Sequence, residues 1–139
     1  MIIMSVDYGD VRTGIAVCDK KEFLASPVEV ITERNEDKLL EKISQKAVAL
    51  KAEEIAFGLP KNMDGSEGFR AQACREFAEK LQNRTGIKTV MRDERLTTVC
   101  AHQYMNMNDV RGAKRKNTVD AVAAVIILED YLRYRKNNI

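Results

Sequence analysis

The sequence has little with which to build covalent or thiolate cross-links. Its three cysteines, Cys18, Cys74 and Cys100, are odd in number, far apart and without a C-x-x-C pair, which argues against a disulfide framework or a thiolate zinc site. One histidine, His102, has no second ligand beside it, so a histidine zinc centre is not expected either. The longest apolar run, residues 121–128, is far short of the roughly 20 residues a membrane span needs. No charged segment precedes an apolar stretch at the amino terminus, and with the reduced cysteines this leads to the expectation of a cytoplasmic protein without membrane contact. Internal repeats, low-complexity tracts and linkers are also missing. Charge of one sign is not in excess, since 23 Lys and Arg face 21 Asp and Glu for a net charge of +2.

What is present is a chain of 139 residues, 45% hydrophobic and 32% charged, the balance of one globular domain with a real core. A single domain over residues 1–139 is expected. Because the whole chain is not a polycation, any case for an anionic partner rests on local charge. Arg111, Lys114, Arg115 and Lys116 crowd into six residues, and Arg133, Arg135 and Lys136 lie near the carboxyl terminus.

Residues 1–6 are almost wholly apolar and read as a strand buried on both faces, ending at Asp7. Tyr8, Gly9 and Asp10 supply turn chemistry and residues 13–18 a second strand, which together predict a hairpin. A third strand within residues 23–31 contains Pro27, which cannot donate to a ladder and predicts an edge position. Asn35 is a good N-cap for a helix with Leu39, Ile43, Ala47 and Leu50 at helical spacing. Residues 55–58 form a short strand, and a turn-rich loop over 59–65 leads to Ser66 as N-cap of a second helix. Its expected stripe is Phe69, Ala73, Phe77 and Leu81, with Gly86 as the stop. Residues 87–91 make a fifth strand, and a third helix runs from Thr97 or Thr98 to about Asn106. Residues 106–118 keep no period and read as a mobile basic arm. The last helix is expected to begin near Asn117 or Thr118 and to bury residues 121–128. Strand-helix-strand units imply parallel pairing and the opening hairpin antiparallel pairing, so a mixed sheet covered by helices follows.

In an open α/β sheet, ligands bind beyond the carboxyl ends of the strands. Three acidic positions match that edge: Asp7, one of the pair Asp93 and Glu94, and Asp120. Two charges about 4 Å apart interact by about 4 kcal/mol at an effective dielectric near 20, so gathered carboxylates call for a cation. Mg²⁺ takes hard oxygen ligands and shares them with substrate phosphates. Two such ions can activate a water and stabilise a leaving oxygen. Each acid also has a simpler reading: Asp7 as an Asx turn, Glu94 as a solvated ion pair, and Asp120 as a carboxylate favoured near a helix start. Ala123, Ala124 and Ile127 share a helix face with Asp120, and a buried unpaired acid is costly, which favours the functional reading. Lys61 and Asn62 sit before a helix start, a position suited to phosphate as well as to an ordinary surface turn. The four cations between Arg111 and Lys116 have no local acids, which suits contact with nucleic acid.

These residues fall into four ordered motifs: Val6-Asp7-Tyr8-Gly9 with residues 12–17; Gly58-Leu59-Pro60 with residues 62–65; Asp93-Glu94-Arg95-Leu96-Thr97-Thr98; and Val119-Asp120-Ala121 with Ala123-Ala124. In them the chain resembles the YqgF-type family of Holliday-junction-resolvase-like proteins, over residues 1–132. The resemblance implies a ribonuclease H-like α/β fold, here a mixed five-stranded sheet with helices on both faces, and a Mg²⁺- or Mn²⁺-dependent nuclease acting on nucleic acid. It implies an acidic site of Asp7, Glu94 and Asp120, which selects Glu94 over Asp93, and it places Arg12 by the scissile phosphate. Family members carry basic residues right up to the Val-Asp motif, whereas Asn117 and Thr118 intervene here. The opening hairpin also resembles the phosphate-binding hairpin of actin-like ATPases, which need two such domains. A non-catalytic nucleic-acid-binding module is a further alternative. No second apolar stripe marks a strong dimer interface, so a monomer or weak homodimer is expected. That suits trimming of the 5′ end of pre-16S rRNA better than symmetric junction cleavage.

Overall fold

A computed structural model describes residues 1–60, 68–93 and 112–137, with the backbone alone for residues 93 and 112–121. The element order is β1 (Ile3–Asp7), β2 (Arg12–Cys18), β3 (Ala25–Thr32), α1 (Glu36–Ala49), β4 (Glu54–Leu59), α2 (Phe69–Thr85), β5 (Lys88–Asp93) and α3 (Gly112–Asn137). The five strands form one sheet in the order β3-β2-β1-β4-β5. β1 pairs antiparallel with β2 and parallel with β4, and β4 pairs parallel with β5. The mixed sheet expected from the sequence is therefore present.

The hairpin of β1 and β2 and the edge position of Pro27 in β3 agree with the sequence reading. Opposite Pro27 the register slips between Ile15 and Ala16, a bulge where the ladder accommodates a residue that cannot donate. β1 and β4 lie inside the sheet, and every residue of β4 is buried. Alternation along β1 assigns its residues to two cores. Met4 and Val6 pack with Leu39, Ile43, Phe77 and Leu81 beneath α1 and α2, and Ile3 packs with Ala124, Ile127, Leu128 and Tyr131 beneath α3. Helices thus cover both faces.

α1 begins where expected, with the Asn35 side chain accepting from the Lys38 N–H at 3.0 Å. α2 ends on Gly86, whose φ of 74° is left-handed and whose N–H donates to the Gln82 carbonyl. Three expectations need correction. α2 starts after Gly68, with no side-chain cap, and Ser66 lies outside the described residues. Its buried stripe is Ala71, Cys74, Phe77, Ala78 and Leu81, while Phe69 is 88% exposed and Ala73 half-buried. Phe69 precedes Ala71 by two residues, about 200° of helix rotation, which turns it away from the core. Finally, residues 112–118 are not an irregular arm but the first turns of α3. Ala, Lys and Arg are strong helix formers, and extending a helix nucleated by the buried stretch after residue 121 needs no apolar period. The expected helix over residues 97–106 lies outside the described residues.

Candidate active site

The parallel strands β1, β4 and β5 end on one edge of the sheet, at Asp7, Leu59 and Asp93, with Leu59 directly opposite Asp93. β2 starts from the same edge, because Asp7 stands opposite Gly14 and Arg12 lies two residues further out. Asp7 and Arg12 are both half-buried there, and both engage in contacts within the protein.

The turn between them is tight and fixed. The Gly9 N–H donates to Thr13 Oγ1 at 3.3 Å, and Thr13 is fully buried. A Cβ on Gly9 would stand 2.1 Å from the Arg12 carbonyl oxygen, so no larger residue fits without opening the turn. The Val11 carbonyl accepts from the Glu33 N–H at 2.8 Å, which ties the turn to the end of β3. From the opposite face Tyr8 stacks on Phe77 with ring centroids 4.5 Å apart and planes 20° apart. Burial raises the Tyr8 phenol above its ordinary value, with Glu36 and Asp10 adding to the shift, so this ring is a neutral anchor.

The third expected acid is positioned by a contact that sequence reasoning did not single out. Ser5, fully buried in β1, donates its hydroxyl to the Ala124 carbonyl of α3 at 2.6 Å. Ser5 and Asp7 lie on the same side of β1, about 6.6 Å apart along the strand. Asp120 precedes Ala124 by four residues, about 6 Å along the helix. Because Ile3 packs with Ile127, Leu128 and Tyr131, α3 runs antiparallel to β1. The step from Ser5 to Asp7 therefore matches the step from Ala124 to Asp120, and the two acidic positions reach the same edge. The signal for Ser5 was a lone hydroxyl in an otherwise apolar strand.

Glu94 follows Asp93 in the chain and lies outside the described residues, as do Lys61, Asn62 and Arg111. Lys61 and Asn62 follow in the chain after Pro60, and β4 itself ends at Leu59 on this edge. Lys114, Arg115 and Lys116 occupy the early turns of α3, one to two turns before Asp120. Among the described residues no group of three acidic, histidine or cysteine ligands forms, and of the expected three only the Asp7 side chain is described. A half-buried carboxylate on a sheet edge, with a second acidic position brought to its level by the Ser5–Ala124 bond, is the kind of hard oxygen donor that a divalent cation takes.

Comparison with known proteins bears on the family and the fold. A family model described as "RuvX: Holliday junction resolvase" matches residues 1–134. A protein of Halothermothrix orenii named "Putative pre-16S rRNA nuclease" is 44% identical over 135 residues, covering 97% of this chain and 96% of its own. One of the same name from Agathobacter rectalis is 38% identical over 141 residues, covering 99% of each chain. Among solved structures, Thermus thermophilus RuvC in complex with a Holliday junction substrate superposes with a TM-score of 0.64 at 12% identity, over 99% of this chain and 96% of that one. The fowlpox virus resolvase with junction DNA gives 0.58 at 12%, over 97% and 99%. At such identity the likeness is one of fold, and that fold is ribonuclease H-like.

Proposed function

Because the chain belongs to the RuvX Holliday junction resolvase family, it is a nuclease, and we propose that its substrate is precursor 16S rRNA, trimmed at the 5′ end. The relatives named for that activity cover nearly the whole chain, and the observation that carries the site reading is the Ser5–Ala124 bond. In this reading Asp7, Glu94 and Asp120 hold Mg²⁺ or Mn²⁺. When bound, the metal supplies a polarised phosphoryl oxygen and an activated water.

The chain's own residues do the rest. Asp7 and Asp120, kept at one level by packing of α3 on β1, fix where the scissile phosphate lies. Arg12 sits beside them on the same edge and offsets the charge that develops on the phosphoryl oxygens. Lys61 and Asn62 hold a neighbouring phosphate. Arg111, Lys114, Arg115 and Lys116 contact the backbone, which positions the substrate without reading its sequence.

A single domain working as a monomer or weak dimer in the cytoplasm completes the proposal. Among the described residues the large exposed apolar side chains are scattered over four places, Phe23 with Leu24, Val48, Phe69 and Tyr134, which supports weak self-association. No described helix is long and apolar enough to cross a membrane. The test is incubation of the purified protein with precursor 16S rRNA fragments, linear duplexes and four-way junctions in Mg²⁺, Mn²⁺ or EDTA. Trimming of the RNA that EDTA abolishes is expected. Paired symmetric nicks in junctions with intact RNA would overturn the substrate assignment in favour of junction resolution.

A further inference from the structure

At the opposite end of the sheet from the acidic edge, the turn between β2 and β3 faces the last turns of α3 across a groove of about 430 Å³. Phe23, Leu132, Lys21, Arg133 and Lys136 line it, with Glu129 as the one acid not already engaged by the turn. Phe23 is 79% exposed and Leu24 beside it 66%, an unusual cost for two large apolar residues in sequence.

This display is held rigidly. Asp19 accepts the N–H groups of both Phe23 and Leu24, at 2.8 and 3.1 Å. Glu22 adopts a left-handed φ of 59°, and its carboxylate accepts from Arg135 Nε at 2.7 Å and Nη2 at 3.3 Å. The turn is thereby clamped to α3 and Arg135 is neutralised. Lys20, Lys21, Arg133 and Lys136 make no ion pair among the described residues.

We propose that this groove is a second contact surface for single-stranded nucleic acid, in which Phe23 stacks a base and Lys21, Arg133 and Lys136 take phosphates. An exposed aromatic face among unpaired cations is what sequence-tolerant single-strand binding needs. A long polyanion fits better than a short acidic peptide because α3 carries cations at both ends. Lys114, Arg115 and Lys116 lie by the acidic edge and Arg133 and Lys136 by the groove, and from Lys116 to Arg133 the helix spans about 25 Å. The proposal rests on the nuclease reading only in assuming that the strand bound here continues from the cleaved one.

The test is fluorescence anisotropy in EDTA with labelled oligouridylates of about 20 and about 4 nucleotides, the shorter being unable to bridge both ends of α3. Phe23→Ala is expected to weaken the longer probe about fivefold or more. Lys21→Ala with Arg133→Ala and Lys136→Ala is expected to reduce the slope of log K against log salt by about 2. Both variants should melt like the parent protein and lose far less affinity for the short probe. Unchanged affinity and slope for the long probe would overturn the proposal, as would loss in the charge variant alone or an equal loss for both probes. Unchanged RNA affinity with lost capture of a protein partner by Phe23→Ala would also overturn it and make the groove a protein-docking face. Because no cleavage is read, this outcome is separable from failure of the nuclease reading, which would appear as activity in Asp7→Asn.

Discussion

Replacing Ser5 by alanine removes a hydroxyl that sets α3 against β1 beside the acidic edge. The donor is fully buried and 2.6 Å from the Ala124 carbonyl, and that carbonyl stays within the helix ladder after the change. No acceptor is stranded, so the cost is one net hydrogen bond plus a void smaller than a methyl group, together about 1 to 2 kcal/mol. For a chain of this length that lowers Tm by about 3 to 6 °C. Ser44→Ala is the control, since Ser44 Oγ bonds the Leu40 carbonyl at 2.7 Å within α1 and links no two elements. The functional consequence is specific: with the register freed, the stabilisation of the folded protein by added Mn²⁺ in thermal melts should shrink, and cleavage should fall more than the melting shift accounts for. Melting and Mn²⁺ response identical to the parent protein would refute the claim that Ser5 positions the two acids.

Three further outcomes follow from the same geometry. Gly9→Ala forces its methyl against the Arg12 carbonyl, and is expected to destabilise by about 2 kcal/mol or more and to impair cleavage; a parent-like melt would contradict the tight turn. The Glu22 carboxyl is held below its ordinary value of 4.5 by the hydrogen bond from Arg135, against burial that raises it. A carboxyl lowered in the folded state contributes stability that is present above the unfolded value and is lost as pH falls through the folded one. Glu22→Gln should therefore flatten the fall in Tm below about pH 4.5, and an unchanged acid limb would count against the clamp. Lys114→Ala with Arg115→Ala should weaken nucleic-acid binding across sequences and flatten its salt dependence, and an unaltered slope would reassign these early turns of α3 to solvent.

Most of the sheet was legible because its signals are local. The apolar run of β1, the turn residues after it and Pro27 in β3 fix pairing and edge position without reference to distant parts of the chain. Asn35 and Gly86 likewise mark helix ends through their own backbone chemistry. The failures share a cause. Gly112 to Thr118 looked irregular because no apolar period runs through it, yet a helix held by Ala123, Ala124 and Ile127 extends backwards through good helix formers. Phe69 looked like core because it stands at helical spacing with Ala73, Phe77 and Leu81, but the helix phase is set by Ala71, Cys74 and Ala78 with Phe77 and Leu81, and small residues carry weak signals singly. At the site, Asp7 could be found from a strand end, whereas Arg12 was expected only from the family resemblance. Asp120 was expected at that edge too, but the contact that brings its position level with Asp7 could not be read, because it joins Ser5 and Ala124 across most of the chain.

In the proposed site, carboxylates gathered at the end of β1 hold a metal that the nuclease requires. This requirement is tested most directly by Asp7→Asn, with cleavage of precursor 16S rRNA measured in Mg²⁺ and Mn²⁺ and melting measured with and without metal. Lost cleavage, a lost response to metal, and a metal-free protein as stable as the parent or slightly more so are expected, since removing one charge relieves repulsion between the acids. Undiminished turnover by Asp7→Asn would contradict the requirement.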